Sequence, residues 1–242
     1  MKRISIILAL MCISFRAFAF PHLSPYSFCA GNPINYIDPD GCKVIALNPD
    51  EQQMILNTIP VELQQSINFS ENGVLLQSNL ISVQSNSQNF NSLREIALDL
   101  EKTMIVKISS EFEYKNQSGV NLMRKMGSIE VDPDFIGNDG GKGVGTSTGE
   151  TGFLGKTLFP DLNGAQNSPD NMIHVIINSN LSTEGKAQTF SHEAYGHGLI
   201  YMKSNGNRKA ASHDFKSGNI DANQILFKLI NNAINETIIN MK

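Results

Sequence analysis

The sequence predicts an α+β domain in which a small sheet supports a helix over residues 182–206 and a second helix at the C-terminus. Three observations carry this. Two β-rich runs, "MIVKISSEFEY" (104–114) and "NMIHVIINSN" (171–180), are flanked by segments with apolar residues at helical spacing, before the first run and after the second. Helix start and stop signals bracket those segments. Hydrophobic residues make up 40% of the 242 positions and charged residues 17%, enough apolar material for one sizeable core and too much for general disorder.

At the N-terminus, the basic start "MKR", the apolar run "ISIILALMCISF" and the small residues Ala17 and Ala19 read as a secretory signal peptide, residues 1–19. The alternative is the truncated edge of a longer reading frame. The run is too short to span a bilayer comfortably, so no membrane anchor is expected after its removal. A secreted or periplasmic location follows. Met11 precedes Cys12, where a lipidation signal needs a small residue. Cys29 and Cys42 could pair in an oxidising compartment, but nothing in the sequence decides it. No Cys-x-x-Cys is present, which excludes a cysteine-rich zinc site. The net charge is −4, and there is no basic stripe to suggest nucleic acid or an anionic membrane as partner.

Residues 20–42 follow as a linker. Its "GNP" and "DPDG" are turn signals, Pro presetting φ and Gly accepting positive φ. Composition then becomes globular, so residues 43–242 form the expected domain. A short helix starts near Asn48 and stops before Pro60. "GVLLQSNLISVQ" (73–84) reads as two short strands or one bent strand. Ser92 and Glu95 match a capping box for a helix over 92–104, with Leu93, Ile96, Leu100 and Met104 on one face. Residues 104–114 read as a strand. "GNDGGKGVGTSTGETG" (137–152) is glycine-rich but fails as a phosphate loop, because Gly143 rather than Ser or Thr follows Lys142. A mobile surface loop, able to border a cleft, is the expectation. Residues 171–178 read as a strand, and His174 within it carries no ligand spacing. Ser182 or Thr183 caps the next helix, which ends before Gly206. A final helix fits 221–241, with Ile225, Leu229, Ala233, Ile234 and Ile238 on one side.

The chemistry concentrates in "FSHEAYGHGL" (190–199). His192 and Glu193 are adjacent, and His197 lies five residues after His192. Residues four apart on an α-helix are separated by about 40° around the axis, residues five apart by about 140°. An ideal helix therefore cannot point His192 and His197 at one ion. A π-bulge absorbs the extra residue and restores the facing. Gly196 and Gly198 suit such a distortion, and two interior glycines cost a plain helix about 1 kcal/mol each relative to Ala. A hydrolytic zinc site takes three protein ligands and leaves a fourth position open. Downstream of His197 the candidates are His213, Asp214 and Glu236. His213 is favoured because the turn "SNGN" lets the chain reverse towards the helix; Asp214 is second.

Two resemblances sharpen this. His192, Glu193, Gly196 and His197 resemble the His-Glu-x-x-Gly-His helix of the dipeptidyl-peptidase III type of zinc peptidases. The likeness implies that both histidines bind zinc through a bulged helix and that Glu193 activates the water. That family's acidic second-helix motif is absent here, so the likeness covers only about six residues and argues for local geometry. Tyr26-Ser27-Phe28-Cys29, Asn32-Pro33-Ile34-Asn35 and Asp38-Pro39-Asp40-Gly41 resemble the end of an Rhs-repeat-associated core. The shell-building repeats and the acidic residues for self-cleavage are missing. What this resemblance implies is a toxin-like cassette from about residue 43.

Together these give an expected zincin-like zinc metallopeptidase. His192, His197 and His213 would be the Zn2+ ligands and Glu193 the general base. Strand 171–178 would lie at the sheet edge beside the metal, pairing with an extended protein or peptide substrate. Tyr195 or Tyr201 would donate to the oxyanion, and an immunity protein would be a partner. Two rivals stand beside it. One is a metal-dependent nuclease toxin, which the acidic balance disfavours. The other is a catalytically silent toxin remnant that only binds a partner. A zinc deaminase needs a Pro-Cys-x-x-Cys that is absent.

Overall fold

A four-stranded mixed sheet carries the fold, in the order β1 (Val44–Ala46), β2 (Met104–Ser109), β8 (Ile173–Asn178), β7 (Gly155–Leu158). The first three strands are parallel, and β7 runs antiparallel to β8. The computed structural model describes residues 43–127, 130–136, 142–145, 153–214 and 221–242, all within one unit spanning Gly41–Lys242. The signal-like segment, the turn-rich linker and all three cysteines lie outside the described residues.

Two hairpins supplement the sheet: β3 (Glu111–Lys115) with β4 (Asn121–Lys125), and β5 (Glu130–Ile136) with β6 (Lys142–Gly145). The helices are α1 (Pro49–Leu56), α2 (Val61–Gln64), α3 (Ser78–Ile81), α4 (Gln88–Ala97), α5 (Thr183–Phe190), α6 (Leu199–Lys203) and α7 (Gln224–Asn240). A π-helical segment, Ser191–Gly198, joins α5 to α6.

Strand alternation divides the sheet into two faces. Val44, Ala46, Met104, Val106, Ile173, Val175 and Ile177 pack against Phe90, Leu93, Ile96, Phe190, Ala194, Tyr195 and Leu199 of the helices. On the other face Ile176 and Leu158 meet Phe112 and Met126 beneath the β3–β4 hairpin. Strand β8 is buried on both faces along all six residues. That places it inside the sheet, between β2 and β7, and not at the edge expected from the sequence. A mostly apolar run buried at every position, here interrupted only by His174 before the terminal Asn178, is the signature of such a central strand. The edge is β7.

Several boundaries differ from the sequence reading, each for a packing reason. Helix α1 starts where expected: the Asn48 N–H donates to Glu51 Oε2 at 2.9 Å, and Pro49 opens the first turn. Residues 73–84 form no strand pair. Val74 and Leu75 make single bridges, and the next turns coil into α3 around the one buried residue, Leu80. Helix α4 begins five residues early, capped by Ser87, whose Oγ accepts from Phe90 N at 3.0 Å. Ser92 is buried within the helix, Leu100 is 89% exposed, and Met104 belongs to β2. The strand expected over 104–114 breaks at Ser110 into β2 and β3.

Helix α7 buries Leu226, Ile230, Ala233 and Thr237, while Ile225 is exposed. Polar partners turn this face inward. Thr237 Oγ1 bonds Ser191 Oγ at 2.7 Å and accepts from Asn89 Nδ2 at 3.0 Å. Glu236, a downstream ligand candidate, instead holds the start of α4. Its carboxylate accepts from Ser87 Oγ, from Gln88 N at 2.9 Å and from Asn89 N at 3.1 Å, where the helix dipole favours an anion. Of the glycine-rich stretch 137–152, Lys142–Gly145 forms β6 and the rest lies outside the described residues.

Candidate metal centre

The chain runs from Ser182, whose Oγ caps α5 by accepting from Gly185 N at 3.1 Å, through the π-helical segment to Gly206, at φ +80°. The π-helical winding is the local change that the five-residue spacing requires. It brings His192 Nε2 to 3.0 Å from His197 Nε2. The glycines serve this segment differently from the sequence expectation. Neither Gly196 nor Gly198 has a positive φ. They are needed for close approach: a Cβ on Gly196 would collide with Ile230 Cγ1 of α7, and one on Gly198 would stand 2.5 Å from Met104 Cε.

After α6 the chain reverses, and His213 returns to the segment. Its Nε2 lies 3.3 Å from His192 Nε2. The ligand atoms of His192, His197 and His213 all fall within 4.8 Å of one another. Asp214 does not join them. It is exposed, and its N–H donates to Asp221 Oδ1 at 3.1 Å.

Second partners fix the rings. His197 Nδ1 donates to the Ala211 carbonyl at 2.6 Å, which leaves a lone pair on its Nε2. His213 Nδ1 donates to Asp221 Oδ2, also at 2.6 Å. Asp221 is 5% exposed. Burial alone would raise its pKa, but the hydrogen bonds from His213, Asn223 N and Asp214 N hold it below the ordinary carboxylate value. Burial presses the pKa of His197 down to about 4, despite the opposing charge of Glu193. His197 is therefore neutral at physiological pH, the protonation state that a metal ligand needs.

These residues fit a tetrahedral cation. Zn–N bonds of about 2.0–2.1 Å separate neighbouring ligand nitrogens by about 3.4 Å, close to the observed 3.0 and 3.3 Å. With Nδ1 donating on both His197 and His213, their two Nε2 lone pairs face the same point. A cation placed there would be within reach of all three rings.

Glu193 sits between this cluster and the sheet edge. Thr157 Oγ1 of β7 approaches its Oε2 at 2.6 Å and its backbone oxygen at 3.1 Å. Burial pushes the Glu193 pKa up. The His197 and His192 imidazoles, the Thr157 hydrogen bond and Lys156 outweigh it and hold the carboxyl below its ordinary value. Gly155 lets the strand come this near, since a Cβ there would lie 2.6 Å from Thr189 Cγ2 and 2.7 Å from Glu193 Cγ.

The bond from Asn178 N to Leu154 O, with Lys156 opposite Ile176, sets the alternation of the β7–β8 ladder. It turns the N–H and C=O groups of Gly155 and Thr157 away from β8. No described strand pairs with them.

The tyrosines stand elsewhere. Tyr195 is fully buried, edge-on to Phe190 at 5.2 Å, with its hydroxyl 2.8 Å from Thr58 Oγ1. Tyr201 stacks on Phe159 at 4.2 Å and donates to Asp161 Oδ2 at 2.9 Å. Burial and that carboxylate push its pKa up to about 12. Both hydroxyls are committed to structure, so neither fills the oxyanion role expected from the sequence. His174, on β8, bonds Asp170 Oδ1 through Nε2 at 2.9 Å and is buried on the hairpin side of the sheet.

Sequence reasoning missed Thr157, Asp221 and the Ala211 carbonyl. Asp221 carried one faint signal: an acid eight residues beyond His213, just before the last helix. Comparison of the chain with family models, curated proteins and solved structures finds no significant match.

Proposed function

We propose that residues 43–242 form a zincin-like, zinc-dependent peptidase, a toxin-like cassette behind the remnant of an Rhs core. What supports this best is one conjunction: three convergent imidazole nitrogens beside an ionised Glu193 that an edge strand holds in place. His192, His197 and His213 would hold a zinc ion, which would supply Lewis acidity towards a carbonyl and towards water. Glu193 takes the proton of the attacking water and delivers it to the leaving amine. Thr157 restricts the Glu193 carboxylate to one position, which shortens the search for a reactive geometry. Ala211 and Asp221 keep His197 and His213 in the tautomer that presents Nε2.

The outward N–H and C=O groups of Gly155 and Thr157 let an extended peptide add to the sheet as a further strand. In this reading the substrate is a protein or peptide, the protein acts after secretion or in the periplasm, and an immunity protein restrains it. The test supplies zinc to the full-length protein and offers it a proteome-derived peptide library, with DNA and RNA in parallel. Peptide cleavage by the wild type that Glu193→Gln abolishes is the expected result. Degradation of nucleic acid with no peptide cleaved sinks the proposal.

A further inference from the structure

Beside the edge strand, Lys156 and Arg124 stand outside the salt bridges among the described residues. Lys156 is the middle of β7. Alternation turns it to the hairpin side with Leu158, away from the face on which Thr157 meets Glu193. Its Nζ lies 5.6 Å from the centroid of the Phe153 ring, and the Arg124 guanidinium of β4 lies 4.8 Å from the same centroid. Phe153 is itself fixed, edge-on to Phe112 at 6.2 Å and with its N–H donating to Met126 O at 2.8 Å. The ion pairs among the described residues involve neither Lys156 nor Arg124. Burial lowers the Lys156 pKa; Glu193 offsets part of this, while Arg124 and Arg208 push it lower still. Half-buried Lys156 and exposed Arg124 thus bring like charges to one aromatic ring, an arrangement that an incoming anion relieves.

We propose that Lys156 and Arg124 determine substrate specificity by selecting an acidic side chain at the substrate residue paired with Lys156. This rests on the peptidase reading above. A strand added to β7 lies about 4.8 Å from it. The residue opposite Lys156 turns its side chain to the same face, with Cβ atoms about 4.5–5.5 Å apart. A Glu or Asp there meets Lys156 and Arg124 together, while its two neighbours face Glu193 and the imidazoles. A Lys or Arg in that place meets like charge and is disfavoured. The substrate class is therefore an extended segment with an acidic residue at one fixed distance from the scissile bond.

The experiment uses the zinc-loaded full-length protein and a positional-scanning library of eight-residue peptides, with products read by mass spectrometry. Binding of the same peptides to Glu193→Gln is followed by fluorescence anisotropy. The wild type is expected to favour Asp or Glu over Lys or Arg at one position by roughly five- to tenfold, the scale of a close charge pair. Lys156→Glu inverts that ratio. Arg124 lies on the exposed strand β4, so Arg124→Glu tests the same charge without disturbing the sheet, and it lowers the ratio. Cleavage with no acidic preference, or a preference unchanged in both variants, overturns the inference and leaves the peptidase reading intact. No cleavage at all, with binding of acidic peptides that Lys156→Glu abolishes, removes the peptidase reading but keeps the acidic-strand site. Neither cleavage nor binding overturns both.

Discussion

His213 Nδ1 and the buried Asp221 carboxylate meet at 2.6 Å. The acid fixes the ring from behind and orients the nitrogen that faces His192. Outer partners of this kind typically contribute 10- to 100-fold in metal affinity, about as much as a weak ligand. Asp221→Asn is therefore expected to weaken zinc binding by about that factor, read by competition against a chromogenic chelator. Unchanged affinity would mean that Asp221 serves only to hold the turn before α7.

The purified protein should carry about one zinc per chain, as one tetrahedral site requires. His213→Ala should lower occupancy as severely as His192→Ala or His197→Ala, and Asp214→Ala should leave it intact. Elemental analysis decides this. Loss of metal in Asp214→Ala with retention in His213→Ala would falsify the assignment.

Glu193→Gln should retain zinc and lose a factor of about 10² to 10⁴ in peptide cleavage, the usual range for a missing general base. Thr157→Val separates positioning from chemistry. Burial raises the Glu193 pKa, and the Thr157 hydrogen bond is among the interactions that bring it down. Removing that bond raises the pKa. The acidic limb of the kcat/KM profile should then move to higher pH, with activity lost sooner as pH falls. A profile that drops in height without moving would show Thr157 to be structural alone.

Gly196→Ala sets two effects against each other. Ala gains about 1 kcal/mol of helix propensity over Gly. The new Cβ collides with Ile230 Cγ1, and overpacking a core typically costs about 1–3 kcal/mol. Net destabilisation is expected by urea denaturation. Ile230→Ala removes the colliding atoms, so the double variant should lose less than the two single losses combined. Strict additivity would show that the glycine serves the winding of the segment and not its packing.

Asp161 gives a pH signature remote from the metal. Burial raises its pKa, but the Asn163 N–H, the Tyr201 hydroxyl and the Arg208 guanidinium together hold it below its ordinary value of 3.8. A carboxylate depressed in the folded state adds stability that is complete above its unfolded pKa and is lost as pH falls through the folded one. Asp161→Asn should therefore reduce the melting temperature at pH 7 and narrow its gap to the wild type below pH 3.8. A gap independent of pH in that range would remove Asp161 from the account.

The cluster of histidines was legible because its ligands lie close together in sequence and the extra residue between His192 and His197 allows only a bulged winding. The α+β class was legible because two strand runs, 104–114 and 171–180, stand apart from the helical periods that precede and follow them. Thr157 was not legible: a threonine in a short strand carries no sign of which helix will cross it. Asp221 was hidden for the same reason, since its partnership with His213 depends on a chain reversal. The capping box at Ser92 misled because Ser87 has the better use, with Glu236 arriving from the far end of the chain to complete that terminus. The edge position was misassigned because the strand's apolar run was read for its type and not for its implication of burial on both sides.

The pairing of β2 with β8 matches Met104 with Ile173. Its two partners are separated by about 70 residues, so their meeting closes a long loop, at an entropy cost that grows with the logarithm of its length. The β3–β4 hairpin lies inside that loop and can form locally, within microseconds. The parallel centre of the sheet must wait for the distant strand. Refolding should therefore be slow for a chain of this size. During that wait β2 is an uncovered template, the stage at which a newly made chain is most open to wrong partners.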